Sequence, residues 1–269
     1  MNVSPERAGS GTVHLVGAGP GAPDLLTLRA ARLLERADIV FHDALVHPEV
    51  LALAAHAEHV PVGKRCGRWS TAQRFINKRL VEAARTHAVV VRLKGGDPML
   101  FGRAQEEIAA LEAAGVRTEV VPGVSAAFAA SADVSRSLTR RGVSRSVAFV
   151  TPSIGEGESQ HDWARPAAAA DTAVLYMAGR RAAEIAHGLI AAGVPQTRPA
   201  VLIENASLPT RAIHPTLVRD LAATAARLGD GPALLLVGDT FADLSAAADT
   251  LASLERTATP VRIDQAQAA

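Results

Sequence analysis

Three short stretches of this 269-residue chain gather glycine and other small residues where an apolar β-type run gives way to a helical one: Gly17-Ala18-Gly19-Pro20-Gly21-Ala22, Lys94-Gly95-Gly96-Asp97-Pro98 and Pro122-Gly123-Val124-Ser125-Ala126-Ala127. Without bulky side chains, such turns let a ligand approach the backbone and its N–H groups closely. The first stretch, read alone, also fits a dinucleotide-binding loop with its permitted final alanine. Asp43 lies about 20 residues further on, where such folds hold a ribose. NAD binding therefore stays open at this point. The second and third stretches are more than a dinucleotide fold needs, and two glycine-rich strand ends could face one cleft.

The elements around these turns alternate. Val13 to Val16, Ile39 to His42, Val89 to Leu93 and Thr118 to Val121 read as strands. Between the first two, Leu26, Ala30, Leu33, Leu34 and Ala37 recur at helical spacing on one face, and Asp24 is the expected cap. Arg29, Arg32, Glu35 and Arg36 make the solvated outer face of that helix. A second helix is expected from Arg103 to Ala114, stopping at Gly115. A further series has strands near Val147 to Val150, Ala173 to Met177, Ala200 to Ile203 and Leu234 to Val237, with Ala182, Ile185, Ala186 and Leu189 keeping a helical face. Ser153 to Pro166 reads as a surface loop, and the tail after Thr257 as frayed. The fold class expected is α/β: two α/β domains with mainly parallel sheets, 12–123 and 124–254, and a ligand cleft between them.

Composition narrows the function. With 28 Lys plus Arg against 27 Asp plus Glu, no global field draws nucleic acid or an anionic membrane, so an anionic ligand needs a local cluster. Six Phe, two Trp and one Tyr leave little for base stacking. No apolar run reaches the roughly 20 residues that span a bilayer. Cys66 is the single cysteine and cannot form an internal disulfide, and Met1 to Gly11 lacks a signal-peptide pattern, so a cytoplasmic setting is expected. A small-molecule enzyme fits this profile.

The motifs resemble the uroporphyrinogen-III C-methyltransferases of the tetrapyrrole methylase family. The resemblance runs through Val16 to Thr27 (VGAGPGAPDLLT), Asp38 to Val46, Gly63 to Val81 (GKRCGRWSTAQRFINKRLV), Val91 to Glu107 (VRLKGGDPMLFGRAQEE) and Glu119 to Ala127, with weaker matches at Leu175 to Ala178, Ile203 to Ser207 and Pro232 to Gly238. It implies S-adenosylmethionine as methyl donor between two α/β domains, S-adenosylhomocysteine as by-product, and a homodimer. The implied reaction is two methylations of uroporphyrinogen III, through precorrin-1 to precorrin-2, for sirohaem or cobalamin. It also implies that Pro20, Gly95, Gly96, Asp97, Leu100, Ser125, Ala126, Met177 and Ala206 hold the donor, and that Asp43 and Lys64 act as proton acceptor and proton donor.

These residue types suit that chemistry. Adenine needs an apolar slot with main-chain hydrogen bonds, and a sulfonium needs oxygens nearby and no competing cation. Transfer of a methyl group to a pyrrole carbon requires carbon, methyl and sulfur in line at near-contact distance, so positioning can supply most of the catalysis. One acid/base pair helps the proton leave. An acceptor with eight carboxylates calls for guanidinium groups, with Arg65, Arg68, Arg103, Arg140, Arg141 and Arg145 as candidates. Arg103, Glu106 and Arg141 are the substrate-binding residues expected first; Glu106 and Glu107 match the family's acidic pair, and Gln73 and Asn77 share a predicted helix face.

Departures cluster where the tetrapyrrole is expected. Ala104-Gln105 replaces a glycine pair, Arg136-Ser137-Leu138-Thr139 replaces Ile-Pro-Leu-Thr, Thr151-Pro152-Ser153 replaces Thr-Gly-His, and Arg140-Arg141 stands for His-Arg. The donor motifs are intact. Another precorrin as acceptor, or a non-catalytic module that keeps the donor pocket, therefore stays open beside the NAD reading. The nine histidines show no metal spacing, and His56 with His59 lacks a third ligand, so no metal is expected. Cys66, though beside Lys64 and Arg65, has no accompanying His/Asn signature and reads as a bystander.

Overall fold

The computed structural model describes residues 11–62, 73–154 and 161–246. They fall into two compact units. One comprises the described residues up to Ser135 with Asn205–Ala212, and the other comprises Arg136–Glu204 with the described residues from Ile213 on. The sequence-based limit between 123 and 124 thus lies ahead of α5 (Ala126–Asp133), which stays with the first unit. Its neighbours explain this: Asp133 accepts a hydrogen bond from Ser207 N at 2.7 Å, and Gly123 N donates to Asp97 at 2.9 Å, all within that unit.

In the first unit β1 (Thr12–Gly17), β2 (Ile39–His42), β3 (Glu58–Pro61), β4 (Val89–Lys94) and β5 (Arg117–Val121) form one sheet in the order β3-β2-β4-β1-β5. Each neighbouring pair is parallel. Side chains alternate between faces along a strand, and here both faces are apolar. Val13, Leu15, Ile39, Phe41 and Val90 pack with Ile76 and Leu80 of α3 (Gln73–Ala83) and Leu111 of α4 (Ala104–Ala113). Val16, Val40, Val91 and Leu93 pack on the other side with Ala30 and Leu34 of α1 (Leu28–Leu34) and Val50 of α2 (Pro48–Leu51). Helices thus cover both faces of the sheet, which is why its inner strands β1, β2 and β4 read as near-continuous apolar runs.

Two details depart from expectation. Asp24 stands in a single 3₁₀ turn, Pro23–Leu25, and the cap of α1 is Thr27, whose Oγ1 accepts from Ala30 N at 3.2 Å. Leu26 and Thr27 are extended, so α1 begins too late for Asp24 to reach its first N–H groups. Strand β3 has no apolar alternation in Glu58-His59-Val60-Pro61 because it is an edge strand paired only with β2.

The second unit carries β6 (Val147–Val150), β7 (Thr172–Leu175), β8 (Pro199–Glu204), β9 (Ala212–Leu217) and β10 (Ala233–Gly238), ordered β6-β7-β10-β8-β9. Mainly parallel pairing holds for the first sheet and gives way here: β6 and β7 are parallel, whereas β10 runs antiparallel to both β7 and β8. The element order accounts for the change, since the segment joining β8 to β9 holds no helix that could return the chain for a parallel crossover. Strand β9 escapes a pattern search because Pro215 interrupts it, as an edge strand tolerates. On α7 (Ala182–Ala191) the expected Ala182, Ile185, Ala186 and Leu189 are buried, and the last three join Leu175, Leu202 and Leu235 in the core. Within the stretch expected as loop, α6 (Ala164–Ala169) has already begun, and Ala167 packs into the same core. The tail after Thr257 lies outside the described residues.

Where β1, β4 and β5 end side by side, backbones approach more closely than side chains allow. A Cβ on Gly17 would lie 2.5 Å from the Gly123 Cα and 2.7 Å from the Gly96 carbonyl oxygen, and one on Gly123 would lie 2.3 Å from that oxygen. Gly123→Ala is expected to destabilise the protein by about 3 kcal/mol through forced backbone displacement, read as a lower urea midpoint with unchanged slope.

Candidate active site

The strand ends carry the small-residue turns found in the sequence, and hydrogen bonds lock these turns together. Ala18 N donates to the Lys94 carbonyl at 2.7 Å, and Gly19 and Gly96 exchange backbone bonds at 3.2 and 2.7 Å. Gly19 and Gly96 hold φ of 72° and 68°, the left-handed region that glycine adopts without strain. Asp97 then ties the second turn to the third. One carboxylate oxygen accepts from Met99 N at 2.8 Å, and the other from Gly123 N at 2.9 Å. Ser125 caps α5 by accepting from Ala127 N at 3.3 Å. Pro20, Gly95, Gly96, Asp97, Leu100, Ser125 and Ala126 therefore stand on three neighbouring turns at the carboxyl edge of one parallel sheet, where open α/β sheets bind ligands.

Ala206 joins the same unit on the excursion Asn205–Ala212. Beside it, Ser207 donates its backbone N–H to Asp133, while its Oγ accepts from Ala22 N at 3.0 Å, so the segment is pinned next to the first turn. Asn205 and Ser207 have φ of 53° and 71°, conformations costly for residues with a Cβ. In the second unit Met177 also holds a left-handed φ of 57°, two residues after β7, with an exposed side chain. Strained non-glycine residues are found at functional sites; Met177 is one of the expected donor positions, and Asn205 and Ser207 flank another, Ala206.

Under the turns lies a chain of charges. On β4, Arg92 and Lys94 point to the same face as Val90, toward α3 and α4. Both are buried, as is Glu107, which occupies an apolar-stripe position of α4 between Ala104 and Leu111. Arg92 Nε donates to Glu107 Oε1 at 2.9 Å, Lys94 Nζ to Oε2 at 3.0 Å and Gln73 Nε2 to Oε1 at 3.1 Å. Arg92 Nη2 reaches across to Asp43 Oδ1 at 2.5 Å. Burial works against the Arg92 charge, yet the carboxylates of Asp43 and Glu107 outweigh it and lift its pKa above the ordinary arginine value. Burial, with Arg92 adding repulsion, pulls Lys94 below the ordinary lysine value despite Glu107. Buried charges persist only when paired like this.

Of the expected substrate residues, Arg103 and Glu106 form an exposed two-point pair at the start of α4, at 2.6 and 2.8 Å. The hydrogen bonds from Arg103 hold the Glu106 carboxyl below its usual range. Arg103 itself is a left-handed N-cap, φ 55°. Gln73 and Asn77 are not idle surface groups: Gln73 Nε2 donates to Asn77 Oδ1 at 3.0 Å as well as to Glu107, and Asn77 Nδ2 donates to the Glu106 carbonyl at 3.1 Å. Arg140, Arg141 and Arg145 are exposed in the second unit, around a turn closed by Arg140 and Ser144. Lys64, Arg65, Cys66 and Arg68 lie outside the described residues. Among the described residues no group of His, Cys, Asp and Glu is arranged to hold a metal.

In the sequence Arg92 and Lys94 stand within a longer motif that assigns neither of them a partner. The signal was present, since two cations inside the apolar strand VVVRLK, with a glutamate on an apolar helix stripe, require one another.

A parallel sheet with small-residue turns at its carboxyl edge defines a class of α/β enzymes that bind a cofactor there. Residues 12–222 match the Tetrapyrrole (Corrin/Porphyrin) Methylases, and the chain belongs to that family. A uroporphyrinogen-III C-methyltransferase of Paracoccus denitrificans is 43% identical over 240 residues, 88% of this chain and 83% of the relative. One from Pseudomonas aeruginosa is 42% identical over 236 residues, 87% of this chain and 96% of the relative. A siroheme synthase of a Psychrobacter species is 43% identical over 231 residues, but the chain spans only 47% of that relative's length. Among solved structures, a uroporphyrin-III C-methyltransferase from Thermus thermophilus complexed with S-adenyl homocysteine matches at TM-score 0.76 and 40% identity, covering 86% of this chain and 98% of that one. A cobalt precorrin-4 methyltransferase matches at TM-score 0.74 and 28% identity, covering 85% and 95%. Membership of this family resolves the open dinucleotide reading against NAD.

Removing the Glu107 carboxylate leaves buried Lys94 without its ion-pair partner and buried Arg92 with Asp43 alone. Glu107→Ala is expected to cost about 4 kcal/mol, measurable as a lowered unfolding midpoint in denaturant.

Proposed function

We propose that this chain is an S-adenosylmethionine-dependent C-methyltransferase that converts uroporphyrinogen III through precorrin-1 to precorrin-2, serving sirohaem or cobalamin synthesis. The observation that carries the reading is the set of three interlocked small-residue turns at the ends of β1, β4 and β5 in a member of the tetrapyrrole methylases. Their chemistry suits the donor. Apart from Asp97 the positions concerned are neutral and small or apolar, and Arg92 and Lys94 beneath them are already held by carboxylates. A sulfonium approaching these turns therefore meets no unpaired strand cation.

In this reading Pro20, Gly95, Gly96, Asp97, Leu100, Ser125, Ala126, Met177 and Ala206 hold the donor, which when bound supplies an electrophilic methyl group. Asp97 preorganises the turns through its two backbone bonds. Arg103, Glu106 and Arg141 engage the acceptor, with Arg103 and Arg141 suited to the carboxylates of a tetrapyrrole because guanidinium groups pair with them at two points. Asp43 accepts the proton released from the methylated ring system, and Lys64 donates one, a role that rests on the resemblance. Precise positioning supplies the largest share of the rate, as expected for an in-line displacement. A homodimer in the cytoplasm completes the proposal; among the described residues no helix is long and apolar enough to cross a membrane.

The deciding experiment incubates the protein with uroporphyrinogen III and methyl-labelled S-adenosylmethionine under anaerobic, reducing conditions. Two labelled methyl groups per product are expected. Donor binding without transfer would leave a non-catalytic module, and transfer only to a later precorrin would reassign the acceptor. Asp43→Ala is expected to lower kcat by roughly 10²–10⁴ while the Kd for S-adenosylhomocysteine, measured by calorimetry, hardly moves. Parallel losses in both would make Asp43 a binding residue.

A further inference from the structure

The charge chain beneath the turns alternates in sign: Asp43, Arg92, Glu107 and Lys94 follow one another, each in contact with the next. Asp43 stands just past the end of β2, where its own N–H is held by the Leu93 carbonyl at 3.2 Å. Its carboxylate meets one end of the Arg92 guanidinium. The rest of that group is committed: Nη1 donates to the Leu93 carbonyl at 3.2 Å, and Nε to Glu107. Glu107 is in turn fixed by Lys94 and Gln73. A planar guanidinium with three nitrogens engaged on three acceptors has no freedom to rotate. The direction it offers to Asp43 is therefore set by β4, α3 and α4 and not by the loop that follows β2.

We propose that Arg92 is a positioning residue for methyl transfer: anchored by Glu107, it holds the Asp43 carboxylate in the orientation in which it receives the proton. The proposal rests on the reading of Asp43 as proton acceptor given above. A lysine cannot replace Arg92, because a single ammonium cannot reach both carboxylates with fixed direction. Arg92 touches neither methyl donor nor acceptor in this account; it acts through Asp43.

Three variants test it: Arg92→Lys, Arg92→Gly with and without added guanidinium, and Asp43→Asn, each assayed for kcat, for KM with uroporphyrinogen III and for Kd with S-adenosylhomocysteine. Arg92→Lys is expected to lower kcat by about 100-fold, the scale of a misplacement of about 1 Å, with KM and Kd nearly unchanged. Guanidinium, at concentrations that leave the thermal midpoint unmoved, is expected to restore part of the kcat lost in Arg92→Gly, and ammonium is not. A loss that falls on KM or Kd instead of kcat overturns the proposal, as does wild-type kcat in Arg92→Lys. If Arg92→Gly does not fold, Arg92→Lys decides alone, since it keeps the buried charge. Asp43→Asn separates the two layers. Inactive Asp43→Asn beside fully active Arg92→Lys defeats the positioning role only, whereas fully active Asp43→Asn removes the Asp43 reading and this proposal with it.

Discussion

Contact between main chains at Gly17, Gly96 and Gly123 is the constraint from which the rest of the first unit follows. Three parallel strands end together, and each must turn away toward a different helix. A side chain at Gly17 or Gly123 would force the turns apart, and one at Gly96 would strain its left-handed backbone. The Gly19–Gly96 exchange and the Asp97 link to Gly123 would then be lost. Because the backbones touch, the polar groups at this edge sit at fixed spacing before any ligand arrives. Preorganisation of that kind lowers the cost of ordering a flexible cofactor.

Directly beneath this edge the protein places charge where a parallel sheet normally has none. The cations of β4 share a face with Val90, Phe41 and Leu15, yet they meet a glutamate from α4 and an aspartate from the end of β2. Such a network contributes little net stability compared with apolar packing, so its presence points to geometry. It couples four separate elements, β2, β4, α3 and α4, through groups that tolerate little displacement.

Much of this was legible in the residues themselves. The strands with unbroken apolar runs, such as β2, β8 and β10, and the stripe of α7 stand where periodicity put them, because both are buried and the pattern is the direct record of burial. The edge strands β3 and β9 were not legible: one is polar and the other holds Pro215, and an edge demands neither alternation nor a full ladder. The three turns announced themselves by composition. Their mutual hydrogen bonds did not, since sequence spacing carries no information on which strand ends are neighbours. Arg92 and Glu107 stand in the sequence only within a matched motif; that they pair follows from β4 and α4 packing face to face.

The excursion Asn205–Ala212 carries a consequence for how the molecule can be dissected. The polypeptide leaves the second unit after Glu204, contributes Ala206 and Ser207 to the first, and returns at Ile213. A fragment ending at Ser135 would thus lack the serine that both Ala22 and Asp133 bind. Neither lobe is a contiguous gene segment, and recombination that exchanged one wholesale would part Ser207 from the turn and helix it ties together.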